Sequence, residues 1–337
     1  MDNKNVSGPE ALFQMLQAHH VTAVLTTAID LGLFAAVHDG AHDAAAIAAK
    51  IQCPERTTRV VAEALAVLGL LTKDGERYSL GPIAAEHLVP GKPQYLGGVS
   101  SIMGSEHLWR AMTHLKESVK AGGSVLPEHA ETPQLPFWEI FAKSTVGMSV
   151  PAAMAIQGIL APWLASRSAP TALDVAAGSG TYGFTLVKEN PALRATLLDW
   201  PNVLVETRQM AGRLGVDSSR VQFIEGNLFE APFGGPYDVI VMSHILHHFE
   251  PTVCQSLLKK AAAALKPDGK LVIHDFLIDG DNPAARMFSI TMLGTTKKGQ
   301  AFASSDYGAW SKAAGLGAFK VYPAAGLPSS IMVAERG

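Results

Sequence analysis

The 337 residues, 48% hydrophobic and 17% charged with a formal net charge of −3, describe a globular chain long enough for two domains. The charge balance excludes a basic footprint for nucleic acid and a polybasic membrane patch. Two cysteines, Cys53 and Cys254, exclude a disulfide framework and an all-cysteine zinc site, and they fit a reducing, cytoplasmic setting.

The first ten residues, MDNKNVSGPE, are polar, so no secretory leader is expected. Residues 11–37 carry apolar side chains at helical spacing, from Leu12, Met15 and Leu16 to Leu25, Ile29 and Leu33. In this reading the longest near-apolar run is 24–37, which contains Asp30 and is too short to span a bilayer. Asp30-Leu31-Gly32 closes one helix before the next begins. Residues 43–50 form a short alanine-rich helix, and Pro54 precedes a helix over 56–68. Strands at 70–73 and 77–80 flank Asp74-Gly75, a hairpin signal. Three helices and a hairpin make a winged helix. Its third helix offers only Arg56 and Arg59, opposed by Glu55 and Glu63, and is otherwise apolar. It reads as a buried helix and not as a groove reader, and no nucleic-acid partner is expected.

Residues 91–104 form a connector. A helix over 106–121 is stopped by Gly122-Gly123, and 133–136 is an extended loop. Helices over 137–143 and 152–163 lead into a Ser/Arg/Pro linker, which places the domain boundary between 165 and 166. The domains are thus 1–165 and 166–337.

A short strand, 172–175, then carries Asp174 and breaks into Ala176-Ala177-Gly178-Ser179-Gly180 before a helix from Phe184. Residues 178–183 spell the dinucleotide fingerprint G-x-G-x-x-G. An acid inside the strand, four residues before Gly178, suits instead a cofactor without pyrophosphate, whose ammonium group it can hold. The next strand, 195–198, ends in Asp199, where an acid meets a ribose diol in either cofactor class. After strand 221–225, Asn227 and Leu228 can read an adenine edge and cover its face. Strand and helix continue to alternate through a strand at 237–241, a helix at 254–265, a strand at 270–276 and a helix at 307–314. A hairpin of 317–322 with 329–335 closes the chain. The pattern predicts an α/β fold: a mostly parallel sheet with helices on both faces and an antiparallel last strand.

The acid-bearing strand, the glycine turn and the 224–229 segment resemble the class I S-adenosylmethionine-dependent methyltransferases. Within them the chain is similar to the small-molecule O-methyltransferases of the plant caffeate and bacterial antibiotic-tailoring type. The stretches DLGLFAAV, RVVAEALAVLGLL and RYSLGPIAAEHL match that family's amino-terminal winged-helix dimerisation domain, and the likeness covers nearly the whole chain. It implies a Rossmann-like carboxyl-terminal domain, a homodimer through the amino-terminal helices and a small-molecule acceptor. It implies S-adenosylmethionine held by Asp174, Gly178, Gly180, Asp199, Trp200, Asn227, Leu228 and Ser243. His247 aligns with the family's general base. Asp275 takes the place of the carboxylate that orients it.

The chain departs from the family in three places: Ala176 replaces the first glycine, Asn227 the adenine-reading aspartate, and Ala301, within 299–303, a second carboxylate. Acceptor candidates are Met103, Trp109 and His114, then Phe137 and Trp138, and finally Met148, Phe288 and Met292. By resemblance, Met148 and Met292 would sandwich a flat aromatic or conjugated acceptor. His248 reads as exposed packing. His244 and His248 have metal-ligand spacing, but no carboxylate completes the motif and no metal is expected. The alternatives are C-, N- or S-methylation on the same scaffold, a nicotinamide-dependent oxidoreductase, and a winged-helix regulator that senses the nucleoside.

Overall fold

A computed structural model describes residues 8–92, 94–324 and 328–337. The chain divides into two units, one up to Glu106 and one from His107 onward. The first unit holds helices α1 (Pro9–Leu16), α2 (Ala18–Asp30), α3 (Leu33–His38), α4 (Ala44–Ile51) and α5 (Glu55–Val67). An antiparallel hairpin of β1 (Leu71–Asp74) and β2 (Arg77–Leu80) follows, then α6 (Pro82–His87) and α7 (Ser100–Met103). Gly32 turns the chain between α2 and α3 at φ +73°, a conformation that glycine adopts without strain. Asp43 caps α4 by accepting the Ala46 N–H at 2.8 Å. Leu33, Phe34, Ile47, Leu65 and Tyr78 make the core.

Helix α5 corrects one expectation. Only Thr58, Ala62 and Leu65 are buried on it, while Val60 and Val67 are 60% and 88% exposed. A 3.6-residue period presents one stripe to the core, so a helix apolar over most of its length leaves some of its apolar side chains outside. Arg59 is committed to Glu55 and Glu76, both at 2.6 Å. Helix α1 buries nothing in this chain, and Leu12, Phe13, Met15 and Leu16 are all exposed.

Between the units' boundary and the large sheet lie α8 (Glu106–Thr113), α9 (Leu115–Ala121), α10 (Phe137–Ser144) and α11 (Val146–Leu164). The single helix expected over 106–121 breaks at His114. Helix α11 is the longest uncharged stretch, so the run at 24–37 does not hold that place. An 18-residue window of it has a mean hydropathy of 1.3, and by length and composition the helix would cross a membrane. One face is instead core, through Ala152, Ala153, Ile156, Leu160 and Leu164. The expected boundary at 165/166 falls between α11 and the sheet, within the second unit.

The sheet elements follow as β3 (Thr171–Val175), α12 (Thr181–Glu189), β4 (Arg194–Asp199), α13 (Pro201–Arg213), β5 (Val221–Glu225), β6 (Tyr237–Ser243), α14 (Pro251–Ala264) and β7 (Leu265–Asp275). Helices α15 (Pro283–Thr295) and α16 (Ser304–Ala313) and strands β8 (Lys320–Pro323) and β9 (Ser330–Glu335) complete it. Strand order is β5-β4-β3-β6-β7-β9-β8, parallel from β5 to β7, with β9 antiparallel to both β7 and β8. All seven residues of β6 are buried, as a central parallel strand covered on both faces requires. The order reverses between β3 and β6, so the carboxyl ends of these strands open a crevice.

Candidate active site

The crevice is a cleft enclosing about 830 Å³ of empty space, part of it open to solvent. Its floor comes from the turns after four strands: Ala176 and Gly178 after β3, Asp199 and Trp200 at the end of β4, Gly226–Phe229 after β5, and Ser243–Ile245 after β6. Trp138 and Phe141 of α10, with Ala130 and Glu131, close one side. The titratable side chains of this lining are Glu131, Asp199, His244 and His248; no lysine or arginine contributes. Such a wall favours a cationic ligand and repels a pyrophosphate.

The glycine turn is built around two buried acids. Asp199 accepts the N–H groups of Gly178 at 2.8 Å and Trp200 at 2.7 Å. Burial pushes its carboxyl up to about 6, against the pull of those two bonds. Asp174 accepts the Gly183 N–H at 2.9 Å through Oδ2, while its buried Oδ1 has no partner among the described residues. Burial pushes Asp174 up to about 8; the Gly183 bond opposes this and the neighbouring Asp199 adds to it. A buried carboxylate oxygen without a donor is costly, and an ammonium group or a water satisfies it. This acid pair therefore fits a sulfonium nucleoside with an amino-acid tail. Gly178 lies at φ +55° on the cleft. Gly180 has a different job: a Cβ there would lie 2.4 Å from the Phe184 ring and 2.9 Å from Leu197, so its absence lets α12 settle on β4. Ala176 holds φ +56°, a left-handed conformation that its Cβ makes unfavourable.

On the other side of the crevice, β6 ends in Ser243 and the chain enters a 3-10 turn at Leu246–His248. The His247 ring is buried, with Nδ1 2.5 Å from Asp275 Oδ1 at the end of β7. Burial alone would raise the Asp275 carboxyl. The charge and hydrogen bond of His247, with His244 and the Phe276 N–H, hold it down at about 2. An ionised carboxylate only accepts, so Nδ1 of His247 carries the hydrogen of this bond, and Nε2 is the ring nitrogen that Asp275 leaves unengaged. Asp275 Oδ2 accepts the Tyr307 hydroxyl at 2.9 Å, and the Phe276 N–H reaches Oδ1 at 2.8 Å. The carboxylate is thus held on three sides.

The stretch 299–303 runs beside this turn. A Cβ on Gly299 would meet the His247 carbonyl oxygen at 2.4 Å and that of His248 at 2.8 Å, so only glycine permits this approach. Ala301 is buried, with its N–H on Ser289 Oγ at 3.1 Å. Among the described residues no second carboxylate joins the pair; the Tyr307 hydroxyl occupies the free oxygen of Asp275.

Three other histidines surround the pair. His248 is 7% exposed and corrects the expectation of exposed packing. It stands edge-on to Trp138 at 5.4 Å and donates Nδ1–H to the Ile245 carbonyl at 3.2 Å. Burial, then the neighbouring His247, lower it to about 3, so it stays neutral. His274 is fully enclosed by the hydroxyls of Tyr182 at 3.0 Å, Ser243 at 3.1 Å and Ser329 at 2.8 Å, which fixes Ser243 at the cleft. His244 takes φ +52° and points Nδ1 toward Asp275 at 3.8 Å. His244, His247 and Asp275 converge within 4.8 Å, whereas the sequence spacing had singled out His244 with His248. The 2.5 Å His247–Asp275 contact is a hydrogen bond, which leaves no room for an ion between those two atoms.

The acceptor candidates separate. Trp138 lines the cleft, Phe137 packs on it at 5.2 Å, and Phe288 stands edge-on to His247 at 4.7 Å. Trp109, His114, Met148 and Met292 are not on the lining: His114 is exposed with Nδ1 on the Arg110 carbonyl, and Met292 is buried within α15. Met103 ends α7 in the first unit. Sequence reasoning missed Tyr307, His274, Phe141 and the burial of His248. Tyr307 and His274 sit on elements whose pattern shows only core, and nothing local marks them.

A model of the O-methyltransferase domain matches residues 146–317, and one of the O-methyltransferase dimerisation domain matches residues 13–90. A 3-hydroxy-5-methyl-1-naphthoate 3-O-methyltransferase of Streptomyces sahachiroi is 27% identical over 308 residues, covering 87% of this chain and 85% of that one. Among solved structures, an O-methyltransferase assigned in Nostoc punctiforme is 28% identical and superposes with a TM-score of 0.91 over 98% of this chain and all of the other. Human N-acetylserotonin methyltransferase, solved with S-adenosylmethionine, shares the fold at a TM-score of 0.80 and 21% identity over both full chains.

Proposed function

The chain belongs to the S-adenosylmethionine-dependent O-methyltransferase family with an amino-terminal dimerisation domain, and we propose that it methylates a hydroxyl of a small aromatic or conjugated metabolite with His247 as general base. The dimerisation domain implies a homodimer; the exposed apolar side chains of α1 and α5 support pairing through these helices. Two unpaired cysteines support a cytoplasmic protein.

S-adenosylmethionine supplies an electrophilic methyl group when bound. Asp174 would hold its ammonium, Asp199 its ribose, and Asn227 and Leu228 its adenine, with Gly178, Trp200 and Ser243 shaping the floor. The chain's own part in the reaction is to align the acceptor, exclude water and remove one proton. His247 Nε2 accepts the hydroxyl proton, and Asp275, kept ionised, stabilises the imidazolium. The observation that carries this reading is the His247–Asp275–Tyr307 chain at 2.5 and 2.9 Å beside the cleft. The lining without lysine or arginine favours an acceptor without a carboxylate or phosphate at its reacting end.

The test uses methyl-labelled S-adenosylmethionine, the purified protein and an extract of small molecules from the source cells, read by mass spectrometry. An O-methylated product that His247→Ala loses by about 10²–10⁴-fold, with S-adenosylhomocysteine still bound, is the expected outcome. Unchanged turnover in the variant would remove His247 from its role. A label on carbon, nitrogen or sulfur would replace the hydroxyl as acceptor.

A further inference from the structure

Lys260 of α14 makes an arrangement that no part of the proposed reaction uses. Its Nζ donates to the carbonyl oxygens of Leu228 at 2.7 Å, Ala231 at 2.7 Å and Phe229 at 3.2 Å. It also stands 4.4 Å from the centre of the Phe233 ring. An ammonium has three hydrogens, and here one loop receives them all. Among the described residues no carboxylate pairs with it, and burial lowers its pKa. A surface lysine is ordinarily solvated; this one gives up water for carbonyls and the face of a ring.

The loop it holds, 226–231, carries Asn227 and Leu228 into the cleft. Gly226 opens it at φ +149°, a conformation that side chains rarely adopt. Asn227 accepts the Phe229 N–H at 3.0 Å through its side chain, and its carbonyl accepts from Glu230 and Ala231 at 2.9 and 2.8 Å. The carbonyls of residues 228, 229 and 231 go to Lys260. Every carbonyl from 227 to 231 except that of Glu230 is therefore committed, so the peptide planes of this turn cannot rotate without breaking charge-assisted bonds. Gly226, which no side chain restrains, needs such an external clamp.

We propose that Lys260 is a positioning residue for the purine end of the cofactor, fixing the 226–231 loop so that Asn227 and Leu228 hold an adenine in one register. This rests on the cofactor assignment above. The affinity for the nucleoside and the discrimination between adenine and other bases then depend on a lysine that touches neither the acceptor nor the reacting atoms. The sequence pattern hides it, because Lys260 occupies a polar position of an ordinary amphipathic helix.

The test titrates S-adenosylhomocysteine and its deaminated analogue S-inosylhomocysteine by calorimetry into the full chain, wild type and variants. Lys260→Met is expected to weaken S-adenosylhomocysteine at least tenfold and to narrow its preference over the inosine analogue. KM for S-adenosylmethionine should rise in step while kcat at saturation stays within about twofold. Lys259→Met, which removes an exposed lysine from the same helix, should bind as wild type does. Should Lys260→Met fail to fold, Lys260→Arg decides: its planar fork cannot meet three convergent carbonyls as an ammonium does, so weaker binding with reduced discrimination supports the clamp. Discrimination equal to wild type in a folded variant, or equal weakening of both nucleosides, overturns it. A wild-type protein that binds neither nucleoside would instead overturn the cofactor assignment on which the clamp rests.

Discussion

Replacing Asp174 by asparagine is expected to act in opposite directions on the ligand-free protein and on cofactor binding. The folded carboxyl titrates at about 8 against an ordinary value of 3.8. Between those values the folded state keeps a proton that the unfolded chain has released. Stability of the ligand-free protein therefore falls as pH rises through this window and levels off above about pH 8. At about 1.4 kcal/mol per pH unit, the cost of this one group reaches about 4 kcal/mol at pH 7. Asp174→Asn keeps an acceptor for the Gly183 N–H and removes the ionisation, so the ligand-free variant should gain up to that amount. Binding should move the other way. In the proposed assignment the ligand's ammonium meets Oδ1, which has no partner among the described residues, and a hydrogen bond to a charged group is worth about 1.5–3 kcal/mol, or roughly 10–100-fold in affinity.

The wild type carries a second signature. A cationic ligand selects the ionised carboxylate, so binding near pH 7 releases a proton. Affinity for S-adenosylhomocysteine should tighten about tenfold from pH 6 to pH 7 and flatten above pH 8. Calorimetry in two buffers of different ionisation enthalpy reads the proton directly, and thermal melts read the stability. A wild-type affinity independent of pH from 6 to 8 with no buffer-dependent heat would refute the assignment of Asp174 as the ammonium partner. A less stable ligand-free variant would refute the raised carboxyl instead.

Tyr307→Phe removes the donor to a fully buried carboxylate oxygen, which costs about 1–3 kcal/mol. Asp275 is depressed to about 2, so it contributes stability above 3.8 that is lost as pH falls through 2. Without Tyr307 that loss should begin at higher pH, and an unchanged acid-unfolding midpoint by circular dichroism would dismiss the hydroxyl as a support. Gly299→Ala forces a methyl group to within 2.4 Å of the His247 carbonyl oxygen. Turnover should fall at least about tenfold while S-adenosylhomocysteine binding is largely retained, since the displaced turn carries the proposed base, and the turns after β3, β4 and β5 stay in place. Ala176→Gly releases a left-handed alanine and should raise stability by roughly 0.5–1 kcal/mol after the entropy of the added glycine is counted. A lower melting temperature would show that the Ala176 methyl group is instead packed favourably.

Much of the fold was legible because its signals are local. The apolar runs at 172–175, 221–225 and 237–241, the glycine turn and the Asp74-Gly75 hairpin each declare themselves within a few residues. Their order then dictates a parallel sheet. The pattern shows no helix over 283–295, and it places the start of α11 six residues late, at the residue after Pro151. A proline inside a helix costs more than its neighbours reveal unless packing offsets it, as the core face of α11 does here. His248 was misjudged for a related reason: one turn of 3-10 helix has no period from which a buried face can be read.

The sequence by itself determined which side chains are available and the order in which the sheet presents them: Asp174, Asp199, Asn227, Ser243 and His247 each stand at or just beyond a strand end, because period-2 strands stop where glycine and polar residues begin. Only the tertiary structure decided what those side chains meet. Asp275 and Tyr307 are separated by 32 residues yet share a hydrogen bond, Lys260 reaches a loop 29–32 residues upstream, and Gly299 lies against the backbone of His247. Such pairings have no local energy term that a pattern could record. They exist because parallel strands bring distant segments side by side, and burial then makes every unpaired donor or acceptor costly enough to select its partner.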